Sequence, residues 1–244
     1  MAYSLDKCSF YTNPFKDVYY FDTHNKAFSV WGTYANKIGK SMELVTFDSH
    51  ADTRTAGALY ICKNTDDGVI CKDNPEWKHF LSMFNLKINN FNFEDAFRFM
   101  LQIGNDEQIK AAYDLGYFNS LNIFTRYEEC IWEGFEREDQ IEGYNISYYL
   151  VHEYESDADA LEKICQSAAP VALDIDLDFF VEPFDFESLL GKYIKKLIKK
   201  ATVITIATEP EYFESCKKEE YEDFKNEDAL TILLDVIDSC RRNV

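Results

Sequence analysis

The sequence predicts an α/β fold in which a mainly parallel sheet is flanked by helices. Short apolar runs rich in β-branched and aromatic residues recur along all 244 residues, and helix-like stretches lie between them. Several of those runs also end in aspartate, glutamate or histidine, the kind of group that parallel sheets gather outside the carboxyl ends of their strands.

In chain order, DVYYFDTH (17–24) reads as the first strand and NKAFSVWGTYANKI (25–38) as the helix behind it. MELVTFDSH (42–50) is the next strand, followed by the helix-like NFEDAFRFMLQIG (92–104) and DEQIKAAYDLG (106–116). ISYYLVHE (146–153), VALDIDLDFF (171–180) and ATVITIATEP (201–210) complete the strands, with SDADALEKICQSA (156–168) and FESLLGKYIKKLIKK (186–200) as the helices between them. In the second of these, Lys192, Lys195, Lys196, Lys199 and Lys200 share one face while Tyr193, Ile194, Leu197 and Ile198 share the other, as on an outer helix packed on a sheet. DALTILLDVIDSC (228–240) spaces Leu230, Leu233, Leu234 and Ile237 for a final docked helix, and the acidic run 217–228 before it reads as solvated. Phe91, Phe93, Phe97 and Phe99 are expected in the core. Segments 66–92 and 127–145, aromatic, acidic and weakly periodic, are expected to be long excursions that shape specificity. With no internal repeat and no Pro/Gly/Ser linker, one domain over residues 1–244 is the simplest organisation.

The 46% hydrophobic content supports a sizeable core, so disorder is not expected for most of the chain. A formal charge of −19 repels phosphate backbones and anionic lipid and attracts cations, which argues against nucleic-acid and membrane partners. No apolar run reaches the roughly 18 residues of a membrane span. Residues 1–15 lack the basic and apolar regions of a signal peptide. The seven cysteines are scattered, odd in number and never spaced as CxxC, so they are expected to be reduced thiols in a cytoplasmic protein.

Chemistry is concentrated in four segments. FDSHADT places Asp48, His50 and Asp52 at alternate positions after an apolar run, so along an extended chain two carboxylates and an imidazole converge on one side. A polar loop, with an Asp capping a helix and a hydrogen-bonded His, is the structural alternative. ALDIDLDFF alternates Asp174, Asp176 and Asp178 with Leu173, Ile175 and Leu177. Three carboxylates on one strand edge repel one another unless a cation binds among them, or unless the edge is solvated. Carboxylate with imidazole suits manganese, iron or zinc better than calcium or magnesium. His24 ends the first strand, with Asp22 placed to orient its ring. Glu209 ends the last strand before Pro210; if that strand lies beside VALDIDLD, it faces the same cleft and offers a carboxylate to a cationic substrate.

The order His, D-x-H-x-D, D-x-D, Glu over residues 17–54 and 171–212 resembles the arginase and ureohydrolase superfamily, whose fold also underlies deacetylase-type amidohydrolases. The resemblance implies an arginase-like three-layer domain holding two Mn²⁺ ions. One ion would take His24, Asp48, Asp52 and Asp174, and the other His50, Asp48, Asp174 and Asp176. It implies no ligand role for Asp178, which is expected to support the ligands or cap a helix. A hydroxide shared by the ions would attack a guanidinium carbon while Glu209 pairs with its nitrogens, so Asp52 and Glu209 are the candidate catalytic residues.

The free-arginine enzymes approach the first histidine through Gly-Gly-Asp-His-Ser and carry another histidine soon after D-x-H-x-D. Here the first histidine sits in FDTHNKAF, and none follows His50 until His79, so His79 and His152 are the candidate proton shuttles. DTHNKAF, DSHADT, LDIDLDFF and ATEPEYF together look closer to a small branch that includes peptide arginases. That resemblance implies an arginine-containing peptide, or another guanidino compound, as substrate, with ornithine and urea as products. The alternatives are a deacetylase-like zinc amidohydrolase and a non-catalytic, metal-stabilised module that binds peptides.

Overall fold

The computed structural model describes residues 4–50, 52–54, 57, 75–126, 145–151, 158–182, 187–217 and 219–242. Its sheet contains β1 (Thr12–Phe15), β2 (Val18–Phe21), β3 (Met42–Phe47), β4 (Phe118–Thr125), β5 (Ile146–Leu150), β6 (Val171–Asp176) and β7 (Val203–Ala207). Their order across the sheet is β1-β2-β7-β6-β3-β4-β5. The β1–β2 hairpin is antiparallel, turning at Asp17 with φ 62°, and every other pairing is parallel. The described helices are α1 (Ala27–Ile38), α2 (Pro75–Ser82), α3 (Phe93–Met100), α4 (Gln108–Asp114), α5 (Ala158–Gln166), α6 (Leu189–Lys200), α7 (Pro210–Cys216) and α8 (Asn226–Arg241).

Strand alternation divides the apolar residues into two cores, giving the expected three layers. On one face, Tyr19, Phe21, Met42, Leu44, Leu121, Ile123, Ala172 and Val203 pack under α1 to α4. Val45, Phe47, Leu173, Ile175, Ile204 and Ile206 point the other way, beneath α5, α6, α7 and α8. β6 and β7 are buried along their whole length, as strands sandwiched between helix layers must be. The lysine-rich α6 follows the sequence pattern, with Ile194, Leu197 and Ile198 fully buried. α1 ends at Gly39, where φ 69° places the chain in the left-handed region that glycine reaches without strain.

Several elements differ from expectation. The segment after residue 74 is not a plain excursion: α2 and a 3-10 turn at Ile88–Asn90 bring Phe80 and Leu86 into the first core. Phe99 is buried, and Phe91, Phe93 and Phe97 pack against the same core. β4 occupies a central place although FNSLNIFT mixes Asn and Ser into its apolar pattern, and the isolated sequence shows no reason for strand over loop there. Residues 127–144, His152, Cys62, Cys71 and Cys130 lie outside the described residues. Cys8, Cys165, Cys216 and Cys240 are free thiols. Among the described residues, no helix is long and apolar enough to cross a membrane.

Candidate metal centre

The parallel order places the ends of β2, β7, β6 and β3 side by side, and these ends carry His24, Glu209, Asp176 and Asp48. Register sets the floor of the site. Thr46 of β3, Asp174 of β6 and Thr205 of β7 are paired in one row across three adjacent strands. Thr46 Oγ1 donates to Asp174 Oδ2 at 2.9 Å and Thr205 Oγ1 donates to Oδ1 at 2.6 Å. The buried Trp31 indole of α1 reaches Thr205 Oγ1 at 3.1 Å, tying the helix layer to the same row.

Above Asp174 sits His24, in a 3-10 turn (His24–Lys26) that ends the first strand segment. Its Nε2 lies 2.8 Å from Asp174 Oδ2. That contact turns Nδ1 toward Asp52 Oδ2 at 2.8 Å, Asp48 Oδ2 at 3.3 Å and Asp176 Oδ2 at 3.4 Å. Asp22, expected to orient this ring, instead pairs with Lys26 and is largely exposed. Asp174 orients it.

On the other side, the His50 backbone N–H donates to Asp48 Oδ1 at 2.7 Å, and its ring Nδ1 lies 3.0 Å from Asp178 Oδ2. Asp178 belongs to the 3-10 turn Leu177–Phe179, where its backbone N–H donates to Asp176 Oδ1 and its Oδ1 accepts from Ser49 N–H, both at 3.1 Å. The strand therefore stops at Asp176, and the last acid of D-x-D-x-D bends toward His50.

Asp52 has φ 47° and is steadied by Gln108 Nε2 at 2.6 Å. Glu209, with φ 29° and ψ 65°, accepts the His24 backbone N–H on Oε1 at 2.7 Å. β7 does lie beside β6, so Glu209 meets the same cleft as the aspartates. Non-glycine residues in such backbone regions are strained, and strain of this kind persists where the surrounding structure enforces a side-chain position. Cys216 at the far end of α7 and the ring of Tyr212, 5.7 Å from that of His50, also border the site. Neither they nor Gln108 carried a sequence signal. His79 is exposed on α2, and no described hydrogen bond or ion pair joins its ring to the cluster.

The electrostatics are those of a site that could hold a cation. Asp48, Asp174, Asp176 and Asp178 are each no more than 2% exposed, and among the described residues two imidazoles, His24 and His50, stand with them. Burial, reinforced by the charges of Asp178 and Asp48, pushes Asp176 well above the usual carboxylate range. Burial and the Asp48 charge raise Asp52 to about 8. Burial also raises Asp178 and Glu209. His24 is driven upward because the Asp174, Asp48 and Asp52 carboxylates outweigh its burial. Among the described residues, buried His24 Nδ1 and Asp48 Oδ2 form no hydrogen bond of good geometry despite these close approaches. His24, Asp48 and Asp176 bring ligand atoms within 4.8 Å of one another, and His50, Asp178 and Cys216 form a second such group. Oxygen and imidazole donors with unsatisfied buried atoms fit divalent ions.

No family model matches the chain, and no curated protein matches its sequence. An arginase from Medicago truncatula aligns in structure over 91% of this chain and 57% of its own, with TM-score 0.50 and 13% identity. The chain has an arginase fold. A hypothetical agmatinase from Burkholderia thailandensis (TM-score 0.49, 15% identity, 93% of this chain, 60% of its own) is also similar. So is the proclavaminate amidino hydrolase from Streptomyces clavuligerus (TM-score 0.48, 12% identity, 90% of this chain, 62% of its own). The chain spans about three fifths of the length of these structures. Within this arginase fold, the cluster stands at the carboxyl ends of the central strands, where α/β sheets hold their ligands.

Proposed function

We propose that the chain is a metal-dependent hydrolase of guanidino groups, acting on arginine side chains within a peptide to give ornithine and urea. The observation that supports it most is the convergence of His24, Asp48, Asp52 and Asp176 beside His50 and Asp178, with the Glu209 carboxylate in the same cleft. The arginase fold agrees with that chemistry.

The donor assignment follows the geometry one step along the acidic strand. Asp174 has both oxygens engaged by Thr46, Thr205 and His24, so it serves as the ring's anchor. His24, Asp48, Asp52 and Asp176 would hold the first ion, an oxygen-rich set suited to Mn²⁺. His50, Asp48, Asp176 and Asp178 would hold the second. When bound, two divalent ions supply an acidified water and positive charge for the developing oxyanion.

The chain's own residues do the rest. Glu209 Oε1 is held by the His24 amide, which leaves the carboxylate fixed for planar, bidentate pairing with a guanidinium. Asp52, held by Gln108, moves a proton to the departing nitrogen. Water adds to the guanidinium carbon, the bond to the side-chain nitrogen breaks, and urea and a protonated amine result. The −19 charge favours cationic peptides over anionic ones.

The test is urea release from arginine-containing peptides, free arginine and agmatine by Mn²⁺-loaded protein. Urea from peptides, abolished in Asp176→Asn, is the expected result. No urea from any of them, with both ions bound, would favour the non-catalytic module.

A further inference from the structure

The second donor group contains a residue that the arginase-like assignment does not use. Cys216 Sγ lies 3.9 Å from Asp178 Oδ2, the same oxygen that stands 3.0 Å from His50 Nδ1. All three donor atoms fall within 4.8 Å of one another. Donors on a tetrahedral zinc lie roughly 3.3 to 3.6 Å apart, so an ion here would part His50 from Asp178 by a few tenths of an ångström and draw the thiol in by about as much. Asp48 borders the group through Oδ1, 3.7 Å from His50 Nδ1, while its Oδ2 turns to His24 Nδ1 at 3.3 Å and so links the two groups.

The thiol is positioned by packing. Phe213, fully buried in the second core, anchors α7, which Glu209 precedes as the N-cap and Cys216 ends. This helix and its cap thus bring a carboxylate to the His24 amide at one end and a thiol to Asp178 at the other.

We propose that Cys216 is a thiolate donor to the second ion, so that this position selects a thiophilic divalent cation, zinc, cobalt or ferrous iron, while the first position keeps an oxygen-preferring ion. The inference rests on the metal-centre reading above. On binding, the cysteine S–H proton and the His50 Nδ1 proton leave to solvent, and the sulfur and imidazole lone pairs go to the ion. Soft thiolate donors favour zinc and cobalt over manganese, whereas the carboxylate-rich first position does not discriminate against manganese.

The experiment titrates the metal-free 244-residue chain with Co²⁺ and follows its absorption. The proposal expects visible cobalt bands together with a near-ultraviolet thiolate-to-cobalt charge-transfer band. Cys216→Ser should remove the second while keeping the first, and Cys240→Ser should keep both. In zinc-against-manganese competition, Cys216→Ser and Cys216→Ala should lose at least the roughly 10-fold that even an outer partner of a ligand contributes. Cobalt binding without a thiolate band, or a band that survives in Cys216→Ser, would overturn the proposal and leave the metal centre standing. Failure to bind Co²⁺ at all would overturn both.

Discussion

His24 Nε2 and Asp174 Oδ2 lie 2.8 Å apart at the base of the site, and this contact decides which edge of the imidazole faces the other aspartates. Asp174 is fixed between two threonines by strand register, so the ring inherits the rigidity of the sheet. Asp174→Asn weakens that anchor without removing a donor atom from the ions. The expected outcome is a fold that survives with metal affinity reduced about 10- to 100-fold, measured by calorimetric titration. Asp178→Asn should instead abolish one of two binding events.

Glu209 joins function to strain. Glu209→Gln removes the charge that would pair with a guanidinium, a loss of about 2–5 kcal/mol when the pair is buried. The specificity constant should therefore fall by roughly 30-fold or more, with the melting temperature little changed. Glu209→Gly relieves a φ of 29° but removes the acceptor of the His24 N–H, effects of about 1–3 kcal/mol each and opposite in sign, so stability should change little. Activity should be lost. Calorimetry of the variant beside its urea assay checks both halves.

Much of this site was legible in the sequence, and the parts that were not share a cause. Alternation along FDSHADT and ALDIDLDFF showed that Asp48, His50, Asp52 and Asp176 could gather, because a strand end has a fixed period. It could not show that the strand stops at Asp176, since the turn at Leu177–Phe179 depends on Asp176 Oδ1 accepting the Asp178 N–H. That turn separates Asp174, paired to threonines, from Asp178, paired to His50. Cross-strand register, which joins Thr46, Asp174 and Thr205 from three distant segments, has no local signature. Gln108, Tyr212 and Cys216 reach the site only through helix placement. The layer architecture was easier to read, because apolar strands and amphipathic helices such as α6 announce their buried faces.

Stability of the metal-free protein should fall as pH rises. Asp52 is raised from 3.8 to about 8, and Asp176, Asp178 and Glu209 are raised as well, all with burial as the leading cause. A carboxyl with a raised folded pKa stabilises the fold fully below its unfolded pKa, and that contribution is lost as pH climbs through the folded value. His24, also raised, acts in the same direction. Asp48, held at about 2 by His24 and His50 against its burial, opposes them only in stronger acid. The melting temperature of chelator-treated protein should therefore decline between about pH 4 and pH 8. Metal binding, which favours deprotonated ligands, should stabilise most at the upper end. A metal-free melting temperature that rises across this range contradicts the arrangement.

Gly32 tests the first core. A methyl group there would sit 2.9 Å from Tyr117 Cε2 and closer still to the Phe91 ring. Gly to Ala in an open helix gains about 1 kcal/mol, but overpacking of this kind removes about 1–3 kcal/mol. Tyr117 is fully buried and cannot give way, so Gly32→Ala should be destabilising, as read from urea denaturation midpoints.

The most direct test of the account counts metal. Native mass spectrometry of the chain reconstituted with excess divalent ion, beside Asp176→Asn and Asp178→Asn, reports ions per folded molecule. The two-ion centre predicts two in the parent chain, one in Asp178→Asn and weakened occupancy of both positions in Asp176→Asn. A parent chain that holds none, or an Asp178→Asn variant that still holds two, contradicts it.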